Sequence, residues 1–219
     1  MPRREEGLAA PRVTAPDLPR DLAEGPPPRR GQESFQLRWG SLETVTDAAH
    51  ADIQECALAG IAVEELGLTG ATLVDVDVAD LRATSIAARG ARLRRVRFTG
   101  GRIGTLDLTD ADVDELELSG IRIDYLSLAA ARVEDLVVTN CTFGSIDMPQ
   151  AQLSRVAFTG SRADEVDVRG LRAQHLDLRG LDALAYLDLP SLRGATLSQR
   201  QIEQLAPDLA AALGIRVED

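Results

Sequence analysis

Apolar residues recur along this chain at every fifth position. Stepping from Ile53, the series runs Ile53, Leu58, Val63, Leu68, Leu73, Val78 and onward through Ala173 to Leu178, with no charged or amide side chain in it. Two places before each member sits a second apolar or small residue: Ala51, Cys56, Ile61, Leu66, Ala71, Val76 and on to Leu176. The three remaining places are mostly polar, charged or glycine. A period of five matches neither the face of an α-helix nor the alternation of a half-buried strand. It fits a chain that turns a corner every five residues and sends two side chains inward and three outward. Four such sides close a square, so one coil takes about twenty residues, and its backbone groups bond to the coils above and below at the strand spacing of about 4.8 Å. The stretch from 51 to about 180 holds roughly six to seven such coils, a rod of about 30 Å on that spacing.

A slower beat accompanies the first. Gly60, Gly70, Gly90, Gly100, Gly120, Gly160, Gly170 and Gly180 fall two places after an inward residue, and Asp80, Asp110 and Asn140 stand in the same column. These residue types accept positive φ, which a type II turn requires at its third residue. Alternate corners are therefore expected to be type II turns. Small inward residues (Ala71, Ala91, Ala111, Ala131, Ala151) alternate with large ones (Val76, Val96, Leu116, Leu136, Val156), a pairing that fills a narrow square without voids. A single coil leaves its backbone ladder open above and below, so only a stack is stable.

At Ala111-Asp112-Val113, Ala71-Thr72-Leu73, Ala91-Arg92-Leu93 and Ala151-Gln152-Leu153 the chain resembles the pentapeptide-repeat family, whose motif is A-(D/N)-L-X-X. The resemblance covers about two-thirds of the chain and implies an all-β fold, a right-handed four-sided parallel β-helix. The Asp/Asn place is often Arg, Thr or Gln here, and the central residue is seldom Phe, which implies a thinner core. A leucine-rich repeat is the rival, since Val113-Asp114-Glu115-Leu116-Glu117-Leu118 looks like its L-x-x-L-x-L core. That architecture needs one strand per twenty-odd residues and an Asn or Cys at a fixed place, and no such ladder occurs.

The flanks read differently. Residues 1–33 mix Pro2, Pro11, Pro16, Pro19 and the Pro26-Pro27-Pro28 run with Arg, Glu and Asp, and are expected to be a disordered tail. Residues 34–50, with Phe35, Leu37, Trp39, Leu42 and Val45, are expected to cap the open N-terminal end of a β-helix spanning 51–197. Past Leu178 the pattern breaks at Asp182 to Leu187. Ser198-Gln199-Arg200-Gln201 then makes a capping box that opens a short α-helical cap over 198–214. Pro207 is expected to stop this helix and begin a second, with Gly214 as its C-terminal cap and 215–219 as a tail. In the family, terminal helices of this kind cap the β-helix and often pair two subunits. The resemblance thus implies a homodimer through Ile202, Leu205, Leu209 and Leu213, with a pure cap as the alternative.

Charge and chemistry narrow the function. A formal net charge of -11, with every basic side chain an Arg, argues against direct nucleic-acid binding. Met1 to Glu6 lead into no apolar signal region and no run has the length of a membrane span, so a cytoplasmic protein without membrane contact is expected. Cys56 and Cys141 fall at inward places on different sides and about four coils apart, near 20 Å at the strand spacing, so both are expected as free, slowly reacting core thiols. His50 and His175 have no metal-ligand company, and neither a phosphate-cradling G-x-x-x-x-G-K motif nor a nucleophile elbow is present. No catalytic centre, metal or cofactor is expected, and the protein is read as non-enzymatic. What remains are surface columns, because residues twenty apart stack. The candidate binding surface comprises Asp112, Asp114, Glu115, Glu134 and Asp135 on one side and the column Arg82, Arg102, Arg122 and Arg162 on another. Two functions follow. The first is a scaffold that binds another protein through its flat faces. The second comes from the resemblance: some family members mimic B-DNA in shape and negative charge, bind DNA gyrase and protect it from quinolones.

Overall fold

The five-residue series lines the inside of a parallel β-solenoid. In the computed structural model, which describes residues 7–218, every member from Ile53 to Leu178 is buried except Ala173, which is half-buried. Strands of eight residues such as Arg92–Thr99, Asp112–Ser119 and Arg132–Thr139 belong to an 11-stranded sheet. The shorter strands between them, such as Arg82–Ala87, Arg102–Asp107 and Arg122–Ser127, form a second sheet of 8. All pairings are parallel, and the register advances by one coil of twenty: Val113 lies against Val133, Leu116 against Leu136, and Ile103 against Ile123. Each long strand bends at its fourth residue, so two strands supply the four sides.

The expected turns are present except at Gly180, whose φ is not positive. At the corner closed by Ala71 N–H donating to Leu68 O at 2.9 Å, the third residue is Gly70 at φ 66°. His50, Gly90, Asp110, Ala130, Gln150 and Gly170 repeat that conformation, and a second column of positive φ runs through Gly60, Asp80, Gly100, Gly120, Asn140 and Gly160. A third column was hidden. At the bend inside each long strand stand Glu55, Asp75, Arg95, Glu115, Asp135, Arg155 and His175, all with φ between 49° and 62°. None is glycine, so the ladder holds seven side-chain-bearing residues in the left-handed region that L-residues ordinarily avoid.

Both ends differ from expectation. The segment 34–50 is no separate cap: Glu33–Phe35 and Leu37–Trp39 pair with the strand Asp52–Ala59, and Val45–Asp47 pairs with Ala62–Gly67, so it forms the first coil. The closing role passes to residues further upstream. Ala23–Glu24 pairs with Leu37–Trp39, and the buried Trp39 donates its indole N–H to Pro26 O at 2.7 Å. Residues 7–33 therefore lie ordered against the solenoid, and the disorder expected for Met1 to Glu6 lies outside the described residues. A proline-rich segment has little entropy to lose on docking and needs no core of its own when a neighbouring surface supplies one.

At the far end the backbone does not break at Asp182. Leu181–Leu187 continues the second sheet, with Ser161 against Leu181 and Asp167 against Leu187. The sequence pattern fails there because apolar side chains, Leu184 above all, occupy outward places. The helix spans Gln199–Ala212 without interruption and carries Pro207 inside it, where two helices were expected. Proline has a helical φ; what it removes is the bond to the carbonyl four residues back, here on Glu203, an exposed residue on the solvent side of the helix. The Ser198–Gln201 capping box is formed, and Gln201 also donates to Leu178 O and Leu181 O, both at 2.8 Å. Gly214 closes the helix at φ 73°, with Gly214 N–H on Ala211 O and Ile215 N–H on Ala210 O. No helix among the described residues is long and apolar enough to cross a membrane.

At Gly101 successive coils approach one another closely. It has φ 82°, and a Cβ there would lie 2.2 Å from Leu81 O. Gly101→Ala is expected to lower unfolding free energy by about 1–3 kcal/mol through strain and displaced backbone. Ala130→Gly, which relieves an alanine at φ 56°, should be neutral or stabilising by up to about 1 kcal/mol. Urea unfolding of the two variants against the parent checks both signs.

Candidate binding surface

The two sets of candidate residues sit on opposite sides of the square, ten residues apart along each coil. Asp112, Asp114 and Glu115 lie in the strand Asp112–Ser119, and Glu134 and Asp135 one coil further in Arg132–Thr139, with Asp114 directly against Glu134. Arg82, Arg102 and Arg122 stack in register on the second sheet, and Arg162 follows after Thr142.

The acidic set is not an open negative face. Asp135 is buried and held by a bidentate pair with Arg155, Nε to Oδ1 and Nη2 to Oδ2, each 2.7 Å. Arg155 also bonds Glu134, and Arg94 approaches Asp114 at 3.8 Å. Three coils earlier the same device recurs: Arg95 grips buried Asp75 through Nε at 2.6 Å and Nη2 at 2.5 Å. Arg95 holds the Asp75 carboxyl below the usual carboxylate range. For Asp135, burial alone raises the carboxyl, and the Arg155 guanidinium and the Arg12 N–H outweigh it, so the net shift is also downward. Asp114, desolvated and beside Glu115, is shifted upward.

The N-terminal segment runs lengthwise over this corner. Arg12 N–H donates to Asp135 Oδ1 at 2.8 Å, Thr14 N–H to Glu115 Oε2 at 2.9 Å, and Asp17 N–H to Asp75 Oδ1 at 2.9 Å. At the far end Ala9 N–H donates to His175 Nδ1 at 3.2 Å, which requires that nitrogen to be the unprotonated one. The segment thus travels along the hidden column of left-handed residues, against the direction in which the coils stack.

The arginine side is open. Arg82, Arg102, Arg122 and Arg162 are exposed. Arg102 and Arg122 share Asp124, each at 2.9 Å. Arg82 and Arg102 border a shallow depression floored by Ala83 and Gly104, and Arg162 borders another with Arg179 and Arg200 beside the start of the C-terminal helix. The candidate end residues divide: Leu205 is buried and Leu209 packs against the core, whereas Ile202 and Leu213 are exposed.

Five residues to a side, twenty to a coil, and in-register parallel pairing through both sheets decide the architecture. The chain is a parallel β-solenoid built on a five-residue repeat. It is similar to a trypsin-treated form of QnrB1, a plasmid-mediated fluoroquinolone resistance protein, at 18% identity over 86% of this chain and 92% of that one, with a TM-score of 0.35. It is also similar to HetL, a pentapeptide-repeat protein involved in heterocyst differentiation regulation from the cyanobacterium Nostoc, at 16% identity over 78% of this chain and 92% of that one, with a TM-score of 0.36. No family model and no curated protein matches the sequence.

Within the solenoid, Cys56 and Cys141 are buried and unpaired, and burial pushes both thiols above their ordinary range. No group of three or more potential metal ligands occurs among the described residues. Reading at a step of five passed over Asp75, Arg95, Arg155 and His175 as surface residues. The signal was present at a step of twenty: from Glu55 to His175 every member of that column is ionisable.

The depressed carboxyls set a pH dependence. Their stabilisation is complete above the unfolded carboxylate range, about 3.9 for Asp, and is lost as pH falls through the lower folded-state values. The melting temperature is expected to hold from pH 7 to about pH 5 and to drop below about pH 4. In Asp75→Asn/Asp135→Asn the drop should be shallower, from a lower starting point, as circular dichroism melts across the pH series would show.

Proposed function

We propose that this solenoid is a non-enzymatic protein-binding scaffold whose principal open contact is the arginine side. The observation that carries this reading is the contrast between the two candidate surfaces. The acidic corner is already occupied by arginine side chains and by the chain's own N-terminal segment, whereas Arg82, Arg102, Arg122 and Arg162 are exposed with nothing among the described residues lying over them, Arg102 and Arg122 sharing the single carboxylate of Asp124. Guanidinium groups recognise carboxylates in bidentate geometry, so the partner surface that fits is an acidic one. The DNA-mimic reading, which would make DNA gyrase the partner, requires continuous negative columns. Arg95 and Arg155 interrupt the corner column and the overlying segment covers it, and in the column Asp107, Asp147 and Asp167 the first and last are paired with Arg89 and Arg169.

A photo-crosslinking residue placed at Arg102 or, on the opposite side, at Asp112 separates the sides in vivo. A discrete protein adduct from position 102, lost in Arg82→Glu/Arg122→Glu with unchanged far-ultraviolet circular dichroism, is the expected result. Adducts from position 112 alone would move the contact to the acidic side. A supercoiling assay with purified gyrase should show no inhibition and no quinolone protection up to tens of micromolar protein; protection at low micromolar would restore the DNA-mimic reading.

The second contact is with a copy of the same chain. Leu184, Ile202, Leu213, Ile215 and Val217 are all exposed at the C-terminal end, Leu184 and Leu213 by 80% and 75%. Large apolar side chains left exposed towards one end of the chain support a contact there. Sedimentation equilibrium should give a dimer, and Leu213→Glu with Ile202→Glu a folded monomer; a monomeric parent at tens of micromolar would remove the pairing.

A further inference from the structure

The segment over the acidic corner meets it in an unusual way. It runs along the solenoid axis, perpendicular to the strands, so it cannot add to either sheet. Four of its backbone N–H groups are taken instead by side-chain acceptors of the one corner column, His175, Asp135, Glu115 and Asp75, passing over the coils that carry Arg155 and Arg95. The lengths agree. From Ala9 to Asp17 an extended or polyproline-type backbone at about 3.1–3.3 Å per residue covers roughly 25 Å, and the five coils from His175 to Asp75 at about 4.8 Å cover roughly 24 Å.

The contact is selective for conformation and shallow in depth. Four of the donors are main-chain groups that any residue but proline supplies, and one is a side chain, Thr14 Oγ1 to Glu115 Oε2 at 2.6 Å, so what the column reads is chiefly an extended backbone. Pro11 and Pro16 immediately precede two of the donors, Arg12 and Asp17, and fix φ near the value that an extended run needs. Ala9, Pro11, Val13 and Pro16 are half-buried, and no residue from Gly7 to Pro27 is fully buried. A segment with few buried apolar contacts opens at low cost compared with the solenoid beneath it.

We propose that the left-handed corner column is a rail for an extended, proline-punctuated peptide, that residues 9–17 occupy it in cis, and that a partner protein engages it by displacing them with a segment of the same chemistry. That chemistry is small apolar side chains alternating with free backbone N–H groups, punctuated by proline and without net negative charge. The inference rests on the reading of the solenoid as a protein-binding scaffold, and it concerns a different edge from the arginine side. Tethering gives the cis segment a high effective concentration, so the free rail appears only when the segment is weakened.

The test uses the full chain and a fluorescein-labelled peptide of residues 7–22, followed by anisotropy. Arg12→Pro/Thr14→Pro/Asp17→Pro removes three donors from the cis segment without touching the rail. Ala10→Pro/Ala15→Pro adds prolines at places whose N–H groups make none of these bonds. The donor-site variant is expected to bind the peptide at least tenfold more tightly than the parent, and the control variant to behave like the parent. A peptide carrying the same three prolines should not bind, and Glu115→Ala/Asp135→Ala added to the donor-site variant should abolish binding with the far-ultraviolet spectrum retained. Equal peptide binding by donor-site variant and parent, or equal binding of the proline-substituted peptide, would overturn the proposal. Neither result bears on crosslinking from position 102, so the rail and the scaffold reading fail separately.

Discussion

Every feature of this molecule depends on the hydrogen-bonded ladder between successive coils. A parallel coil cannot satisfy its own backbone groups; it hands them to its neighbours, residue n to residue n + 20. That requirement fixes the pitch at one strand spacing and forces the corners into conformations that keep the chain planar. It also stacks like positions on like. Inside, stacking is harmless, since Val on Val and Ile on Ile pack well. Outside, it places ionisable groups a few ångströms apart in rows, where identical charges would repel by amounts comparable to a surface ion pair.

The chain answers that problem at the hidden corner by placing an arginine after every two acidic coils. Asp75 with Arg95 and Asp135 with Arg155 are bidentate pairs across one ladder step, and Arg97 repeats the geometry on Asp77 at 3.0 and 2.8 Å. Such pairs fix the arginine fork in the plane of the carboxylate and partly bury it, which costs more to break on one side than a solvated surface pair does. Their placement also explains why the corner cannot act as a continuous negative rail: the two arginines divide it into short acidic stretches, and those stretches are what the N-terminal segment binds.

How much of this was legible follows from the periods involved. The inward positions, the type II corners and the Ser198–Gln201 cap were legible because each is a local rule about residue type: apolar inward, glycine-like at positive φ, Ser three residues before Gln. Where local rules conflicted with the ladder, the ladder prevailed. Leu184 and Leu187 break the pattern, yet the backbone pairs on to Leu187. Pro207 breaks helix propensity, yet a helix anchored through Gln201 and Leu205 continues past it. The hidden corner was not legible locally, because Glu, Asp, Arg and His in the left-handed region carry no propensity signal; only the twenty-residue step, a property of the stacked coil, brings them together.

The order of residues 7–33 illustrates the same limit from the other side. Composition states what a segment can bury by itself, and this one, rich in proline and charge, can bury little. It says nothing of a surface elsewhere in the chain whose acceptors are spaced to meet an extended backbone. A solenoid creates such a surface as a by-product of its repeat, since any outward acceptor recurs at each coil. A lengthwise segment therefore needs no sequence complementarity along its whole length, only donors spaced to match about 1.5 residues per coil, the ratio of the ladder spacing to the rise of an extended chain. The ordering of the N-terminal segment is thus set by the geometry of the repeat, and it turns the surface that looked most available in the sequence into the one most completely occupied in the folded protein.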